Sequence, residues 1–199
     1  MTRIIGGAVG GRRLATPKGH ATRPTSDRVR EALFSAIESW SGSLSGLRFL
    51  DLYAGSGAVG LEARSRGTAA VTLVEQDRRT CALIRDNARD LGLAHVEVVA
   101  ASVATTLSRT PTTPYDVVFL DPPYPLPDAD VDAVLQLLVD HDWLAPGALI
   151  IAERASKRST LTWPAGVEAG REKKYGESLL RYGHAAAVSG GEATEATDQ

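Results

Sequence analysis

Residues 49–60 of this 199-residue chain read FLDLYAGSGAVG, an apolar run that passes directly into a loop of three glycines. The apolar run predicts a buried strand, and the glycines predict a tight turn into a helix. Read literally, G-x-G-x-x-G after a strand is the fingerprint of a loop that holds a dinucleotide at a helix N-terminus. The stretch therefore indicates a layered α/β fold with a ligand at the carboxyl end of the strand.

Strand and helix patterns alternate on the C-terminal side of this stretch. Near-continuous apolar strands joined by helices predict a doubly wound, mostly parallel sheet. Residues 167–184 contain no helix signal and predict an antiparallel hairpin that turns at 175–177. The predicted strands are 47–54, 70–75, 96–101, 115–121 and 148–153, and the predicted helices are 58–66, 78–91, 103–109 and 129–142.

The segment before the first strand predicts a small extension and one helix. Glycine pairs separate two short apolar patches in residues 3–14, which indicates a hairpin or an extended arm. Thr25 or Ser26 can cap a helix whose apolar stripe runs from Val29 to Trp40. We therefore divide the chain into a basic N-terminal arm or hairpin at 1–24, one α/β domain at 25–184 and a disordered tail at 185–199.

Bulk composition narrows the classes of protein. A hydrophobic content of 43% over this length suits one well-buried domain. The chain shows neither a membrane-spanning apolar stretch nor a signal peptide, so we predict a cytoplasmic protein. Its single cysteine, Cys81, cannot form an intrachain disulfide, and its four histidines lack metal-ligand spacing, so we predict no metal site. Nothing in the sequence demands a dimer, and we expect a monomer without an obligate protein partner.

Charge is distributed unevenly along the chain. The net charge is −2, but residues 1–31 carry seven basic side chains and two acidic ones. That segment is therefore strongly positive, and the remainder of the chain is negative. Such asymmetry predicts a basic arm that engages a polyanion.

Asp51 distinguishes two classes of cofactor for the glycine loop. A carboxylate beside the turn would repel a dinucleotide pyrophosphate by about 4 kcal/mol at roughly 4 Å and an effective dielectric of about 20. The same carboxylate would attract the ammonium group of S-adenosylmethionine. Glu75, at the end of the next predicted strand, suits the ribose diol of either cofactor. The loop favours S-adenosylmethionine, and a dinucleotide-dependent oxidoreductase is the alternative.

Residues 117–124 read VVFLDPPY, a predicted strand that ends in a carboxylate, two prolines and an aromatic ring. This tetrapeptide looks like the amine-methylation motif of S-adenosylmethionine-dependent enzymes that modify nucleobases. Asp121 and the Pro122 carbonyl would accept the N–H bonds of an exocyclic amine, while Pro123 keeps the loop stiff. Tyr124 would stack on an unpaired or flipped base. The motif does not distinguish guanine from adenine.

Four motifs together closely resemble the bacterial small-subunit ribosomal RNA guanine-N2 methyltransferase family (the RsmD type), in an actinobacterial or mycobacterial form. They are RIIGG at 3–7 with GRRL at 11–14, TRPTSDRVREALF at 22–34, DLYAGSG at 51–57 and DPPY at 121–124. The resemblance implies a Rossmann-like class I methyltransferase fold with a seven-stranded sheet. It also implies transfer of methyl from S-adenosylmethionine, leaving S-adenosylhomocysteine, to N2 of one guanine of 16S RNA within the 30S subunit or an assembly intermediate.

The motifs and the resemblance assign three sets of residues. The catalytic set is Asp121, Pro122, Pro123 and Tyr124. The cofactor set is Asp51, Tyr53, Ala54, Gly55, Ser56, Gly57, Glu75, Gln76, Ser102 and Asp121. Ser102 stands where many methyltransferases carry an acidic or amide side chain for the adenine amine. The RNA set is Arg3, Arg12, Arg13, Lys18, Arg23, Arg28 and Arg30, which are expected to contact phosphates without selecting the base.

Other functions remain open from the sequence. An adenine-N6 methyltransferase of RNA or DNA would use the same tetrapeptide. A protein glutamine methyltransferase is disfavoured, because that group usually carries Asn in place of Asp121. A non-catalytic RNA-binding or assembly factor could keep the fold and every motif residue, since fold alone does not establish activity.

Overall fold

The computed structural model describes residues 2–17, 26–123, 125–155 and 159–187. Its helices are α1 (Asp27–Ser41), α2 (Ala58–Ser65), α3 (Arg78–Asp90), α4 (Val103–Leu107) and α5 (Asp128–Asp140). Its strands are β1 (Arg48–Leu52), β2 (Ala70–Glu75), β3 (Val96–Ala100), β4 (Tyr115–Leu120), β5 (Leu144–Ala155), β6 (Val167–Tyr175) and β7 (Ser178–Ala185). The predicted alternation of strands and helices is therefore confirmed within a few residues at each boundary.

The strands of the described residues form one seven-stranded sheet in the order β3-β2-β1-β4-β5-β7-β6. Strands β1 to β5 are parallel, whereas β7 runs antiparallel to both β5 and β6. This arrangement confirms the predicted mostly parallel sheet with a C-terminal antiparallel hairpin. Strand β5 begins four residues earlier than predicted, because a register shift opposite β4 accommodates Pro146 and Gly147 within the strand.

Helices cover both faces of the sheet. On one face, α1, α2 and α3 pack against the sheet, and Leu33, Phe34 and Phe49 are fully buried there. On the other face, α4 and α5 pack against side chains such as Leu50 and Leu120. Two apolar layers around a central sheet are what near-continuous apolar strands require. Trp40, the last member of the predicted apolar stripe of α1, is 38% exposed at the end of the helix.

The first described residues form a short hairpin, in agreement with the pattern of the sequence. Arg3 and Arg13 form an antiparallel bridge, and the Leu14 amide donates to the Thr2 carbonyl at 2.9 Å. Ile4 and Leu14 are buried in the same core as α1 and α2. The hairpin is therefore packed into the main domain. The predicted arm boundary at residue 24 and most of the predicted tail lie outside the described residues, and Ala185 is still part of β7.

Two features of the described residues concern membranes and metals. No helix among them is long and apolar enough to cross a membrane. No group of three or more histidine, cysteine and acidic side chains in this part of the chain could hold a metal ion. Cys81 is buried, its thiol donates to the Glu75 carbonyl at 3.1 Å, and burial raises the pKa of that thiol.

Candidate active site

The carboxyl ends of β1, β2 and β4 meet at one edge of the sheet. The Ala54 amide donates to the Val74 carbonyl at 3.0 Å, and the Asp121 amide reaches the Leu52 carbonyl at 3.4 Å. The glycine loop and the start of the Asp-Pro-Pro segment are therefore adjacent. In open α/β sheets, ligands bind at this edge, where strand order reverses. The order β2-β1-β4 places that reversal at β1.

The glycine loop requires its glycines at two positions for different reasons. Gly57 caps the N-terminus of α2 with a φ of 77°, a left-handed conformation that disfavours other residues. Gly60 lies against the sheet, where an added Cβ would lie 2.7 Å from Leu73 Cδ2 and 3.0 Å from Asp51 Oδ2. Tyr53, just before the loop, also has a positive φ of 62°. The loop is thus held in a conformation that brings α2 close to the sheet.

Asp51 lies beneath the loop and is only 1% exposed. Its Oδ2 accepts the Gly60 amide at 2.8 Å, which is the hydrogen bond that an N-cap side chain would normally provide and that Gly57 lacks. Burial raises the pKa of Asp51 to about 7, opposed by the Gly60 hydrogen bond and assisted by the charge of Glu75. The side chain therefore caps α2 from below. Its predicted attraction for a cofactor ammonium stays a prediction.

Glu75 connects the glycine loop to the turn after β2. Its Oε2 accepts the Gly55 amide at 3.0 Å, and its Oε1 accepts the Asp77 amide at 2.8 Å. A carboxylate has further lone pairs, so these bonds leave acceptor capacity for a ribose diol. Gln76 is exposed beside it. The structure thus places both residues at the edge where the sequence predicts them.

Ser102 begins α4 at the end of β3. Its hydroxyl oxygen accepts the Thr105 amide at 3.1 Å, and the hydroxyl donates to Thr105 Oγ1 at 2.8 Å. The residue is therefore an N-cap. Its contact with an adenine amine stays a prediction.

The Asp-Pro-Pro segment turns sharply after β4. Pro122 is buried and Pro123 is exposed, and the Pro123 carbonyl accepts the Leu126 amide at 2.9 Å. The turn therefore uses the second proline carbonyl. The roles of Asp121 and the Pro122 carbonyl as acceptors of the amine stay predictions. Tyr124 lies outside the described residues, and its stacking role stays a prediction.

A group of residues that the sequence prediction missed supports this turn. Arg154, near the end of β5, donates from Nη2 to the Leu126 carbonyl at 2.7 Å and from Nε to Asp128 Oδ1 at 2.7 Å. Asp128 Oδ2 also accepts the amide of Thr160 at 2.5 Å. Burial tends to raise the pKa of Asp128, but hydrogen bonds from Thr160 and Arg154 outweigh it and lower that pKa. The sequence signal that could have identified this group is a charged residue, Arg154, near the end of a strand.

A cavity of about 280 Å³ lies beside the turn, between α4 and α5. Tyr53 and Leu126 line it, and Asp130 contributes a carboxylate. Burial raises the pKa of the Tyr53 hydroxyl, and the charge of Asp130 raises it further. The remaining walls are mainly apolar, formed by Ala104, Ala133, Val134 and Leu137. A mostly apolar lining with a few polar groups is typical of small-molecule sites.

The described members of the predicted RNA set divide into exposed and buried residues. Arg12, Arg13 and Arg28 are exposed, and so is Arg3, which pairs with Asp27 at 3.5 Å. Arg12 donates from Nη2 to the Asp90 carbonyl at 3.0 Å, so its position on the hairpin is fixed. Exposed guanidinium groups on an ordered hairpin are able to meet phosphates. Lys18 and Arg23, also members of this set, lie outside the described residues.

Arg30 is wrongly assigned to the RNA set. Its side chain is 0% exposed and is bonded to Glu62 at 3.3 Å, to Asp27 at 2.7 Å and to the Arg3 carbonyl at 2.8 Å. A buried guanidinium cannot contact a phosphate at the surface. The basic cluster in the sequence concealed this difference, because Glu62, its buried partner, lies more than thirty residues away in the chain.

Sequence comparison finds relatives along nearly the whole chain. A model of the family described as conserved hypothetical protein 95 matches residues 2–184. Ribosomal RNA small subunit methyltransferase D of Escherichia coli K12 is 38% identical over 179 residues, which are 90% of this chain and 87% of that protein. The Haemophilus influenzae protein of the same name is 35% identical over 163 residues, covering 80% of this chain and 82% of that protein.

Structure comparison agrees on the fold. A solved Escherichia coli structure, yhhF, provisionally assigned as a methyltransferase, matches with a TM-score of 0.83 at 35% identity and covers 94% of this chain and 98% of that chain. A structure of the protein SMU.776 solved with S-adenosylhomocysteine matches with a TM-score of 0.62 at 17% identity, covering 79% of this chain and 48% of that chain. The second likeness concerns the fold alone. The sheet is that of the Rossmann-like class I methyltransferases.

Proposed function

The chain belongs to the conserved hypothetical protein 95 family, and we propose that it transfers methyl from S-adenosylmethionine to the N2 amine of one guanine in 16S ribosomal RNA. The observation that carries this proposal is the position of Asp121-Pro122 beside the glycine loop. Relatives named ribosomal RNA small subunit methyltransferase D support the reaction and the substrate. The RsmD-type motifs of the sequence support guanine N2 as the acceptor.

The residues at the sheet edge suit S-adenosylmethionine. Glu75 accepts an amide of the glycine loop, Asp51 lies beneath the loop, and the backbone of Asp121 lies next to the end of β1. A pyrophosphate would meet like charges there, whereas a sulfonium and an ammonium would be attracted. The cofactor would be held by the loop backbone from Tyr53 to Gly57 and by Glu75, with Gln76 and Ser102 at the adenosine end. When bound, it supplies an electrophilic methyl group on sulfur.

The chain's own contribution to the reaction is to position an amine. The lone pair of an exocyclic amine is delocalised into the ring, so the group is a poor nucleophile. Asp121 and the Pro122 carbonyl accept its two N–H bonds and turn the lone pair toward the methyl group. As the new N–CH₃ bond forms and the S–CH₃ bond breaks, the nitrogen releases one proton to Asp121 or to water. The products are the methylated base and the neutral thioether.

The substrate is presented as an unpaired or flipped guanine, because this pocket cannot reach a base inside a helix. The hairpin guanidinium groups of Arg3, Arg12 and Arg13, together with Arg28, bind phosphates and orient the RNA. The proposed substrate form is the 30S subunit or an assembly intermediate, and the enzyme acts as a monomer. Such a substrate places the reaction in the cytoplasm.

A methyl-transfer assay tests the proposed function. Labelled S-adenosylmethionine is incubated with 30S subunits lacking the modification, with naked 16S RNA and with DNA, and the products are resolved as nucleosides. We expect N2-methylguanosine from one RNA site. N6-methyladenine as the product would instead support an adenine-N6 methyltransferase. Cofactor binding without transfer to any substrate would favour a non-catalytic assembly factor.

Asp121→Ala tests the assigned acceptor. We expect turnover to fall by about 100-fold or more, because the amine loses one acceptor and the proton loses its receiver. The variant should stay folded and still bind the cofactor, which calorimetry measures. Asp140→Ala, at the exposed end of α5, is the control and should retain full activity. Substantial turnover by Asp121→Ala would remove Asp121 from the mechanism.

A further inference from the structure

Arg154 lies where β5 can support the segment that follows β4. The two strands are parallel neighbours, with Leu120 paired to Ala152. Arg154 follows two residues later and is therefore level with the turn that begins at Asp121. Its side chain is only 10% exposed, so its position is set by contacts within the protein.

The contacts of Arg154 converge on the backbone of this turn. Nη2 donates to the Leu126 carbonyl at 2.7 Å. The amide of the same Leu126 donates to the Pro123 carbonyl at 2.9 Å and closes the turn. One residue thus connects the guanidinium on β5 to the second proline of the Asp-Pro-Pro segment. A shift of Leu126 would be transmitted to Pro123 and to the Pro122 carbonyl next to it.

Asp128 holds the guanidinium in place from the other side. It pairs with Arg154 at 2.6 Å, and its side chain is 11% exposed. Its other oxygen accepts the Thr160 amide and, at 3.1 Å, the Thr160 hydroxyl. Asp128 also begins α5, where a negative charge is favoured by the helix dipole. The carboxylate is therefore ionised and fixed, which makes Arg154 the central member of a clamp between β5, α5 and the turn.

We propose that Arg154 is a positioning residue for methyl transfer, which holds the acceptors of Asp121-Pro122 through Leu126. This rests on the proposed function. An in-line attack depends on geometry, and a displacement of about 1 Å can cost about 100-fold in rate. Arg154 binds the Asp128 carboxylate and the Leu126 carbonyl at the same time. Both contacts need the planar guanidinium group, whose nitrogens point in fixed directions. Lysine, which carries the same charge at one point, cannot make both.

The test compares Arg154→Lys, Arg154→Gln and Asp128→Asn with the matched control Arg64→Gln. Arg64 also donates to two backbone carbonyls, those of Ala94 at 2.6 Å and Thr68 at 2.8 Å. Both carbonyls lie just before the amino ends of β3 and β2, at the opposite ends of the strands from the Asp-Pro-Pro turn. Hydrogen exchange of the Leu126 amide is measured in cofactor-saturated enzyme without RNA. Then kcat and KM for 30S subunits and the Kd of the cofactor are measured.

We expect the Leu126 amide to exchange at least tenfold faster in all three clamp variants and kcat to fall 10- to 100-fold. Cofactor Kd should stay within about twofold, and Arg64→Gln should alter neither exchange nor kcat. Arg154→Lys keeps the buried charge and provides a folded variant if Arg154→Gln is unstable. Full kcat in Arg154→Lys, or a loss of kcat without faster exchange, would overturn the clamp. If the wild-type protein fails to methylate any substrate, the proposed function fails, while the exchange result still decides whether Arg154 orders the turn.

Discussion

At the scale of single residues, Asp51 lies where the sequence predicts it and also has a structural role that the sequence does not show. The sequence correctly places a carboxylate at the end of β1, beside the glycine loop. It could not reveal that the carboxylate accepts the Gly60 amide. The reason is that Gly57 has no side chain to cap α2, so the cap must come from a neighbouring strand.

The raised pKa of Asp51 predicts a pH dependence of stability. Burial raises the pKa of the folded carboxyl to about 7, whereas the unfolded carboxyl keeps its ordinary pKa of 3.8. Between these values the folded protein keeps a proton that the unfolded chain releases. The contribution of Asp51 to the free energy of unfolding therefore falls as pH rises from about 4 to 7, by at most about 4 kcal/mol. Above pH 7 this contribution stays low.

Asp51→Asn should remove this pH dependence, because the amide keeps an oxygen for Gly60 but does not titrate. Urea unfolding of cofactor-free protein at pH 5 and pH 8 measures it. We expect the stability difference between the two pH values to be smaller in the variant than in the wild-type protein, with Asp140→Asn as an exposed control. Equal differences in Asp51→Asn and wild type would show that Asp51 ionises normally.

At the scale of elements, Glu62 joins the hairpin, α1 and α2. Its carboxylate is 0% exposed and accepts the amides of Ile5 and Gly6, each at 3.1 Å. It also pairs with Arg30 at 3.3 Å and with Arg66 at 2.9 Å. Because α2 starts at the glycine loop, this side chain fixes the hairpin relative to that loop.

Glu62→Gln should destabilise the protein by about 3 to 5 kcal/mol, because it leaves two guanidinium groups beside an uncharged amide in the interior. The Ile5 and Gly6 amides should also lose protection from hydrogen exchange. Urea unfolding and exchange measure these effects. Glu38→Gln is the control, since Glu38 pairs with the same Arg66 but is 47% exposed. The control should cost no more than about 1 kcal/mol.

Equal stability of Glu62→Gln and Glu38→Gln would mean that the hairpin is held by its apolar contacts alone. Ile4 and Leu14 provide such contacts, and the sequence pattern predicts them. The pattern does not predict Glu62, because one acidic residue in a helix gives no sign of which distant amides it will accept. Elements follow from local periodicity, whereas their polar connections depend on the assembled fold.

At the scale of the whole molecule, the exposed hairpin arginines predict a salt-dependent interaction with RNA. Replacing Arg12 and Arg13 together with alanine should reduce the slope of log K against log salt by between about 1 and 2, since two phosphate contacts are lost. RNA binding is measured at several salt concentrations. Arg109→Ala, another exposed arginine, should leave the slope unchanged. A slope unaltered by the double replacement would remove the hairpin from RNA binding.

The overall sheet could be predicted from the sequence to a large extent. Apolar runs such as 117–120 and 71–74 identify interior strands, and the intervening helices force them to run parallel. The edge that carries the site follows from Asp51, Glu75 and Asp121. The clamp at Arg154 could not be predicted from the sequence, because the partners of Arg154 lie 26 and 28 residues away and one of them is a backbone carbonyl.

The position of β7 inside the sheet governs the order in which the chain can complete its fold. It is the last of the described strands to be synthesised, yet it lies between β5 and β6. During translation, β6 emerges before the strand that joins it to the rest of the sheet exists. The parallel strands, with the site at their carboxyl ends, can therefore assemble first. Strand β6 has no pairing partner until residues 178–185 have been synthesised. A chain truncated before residue 178 would have an open flank at β5, a surface prone to pairing with other chains.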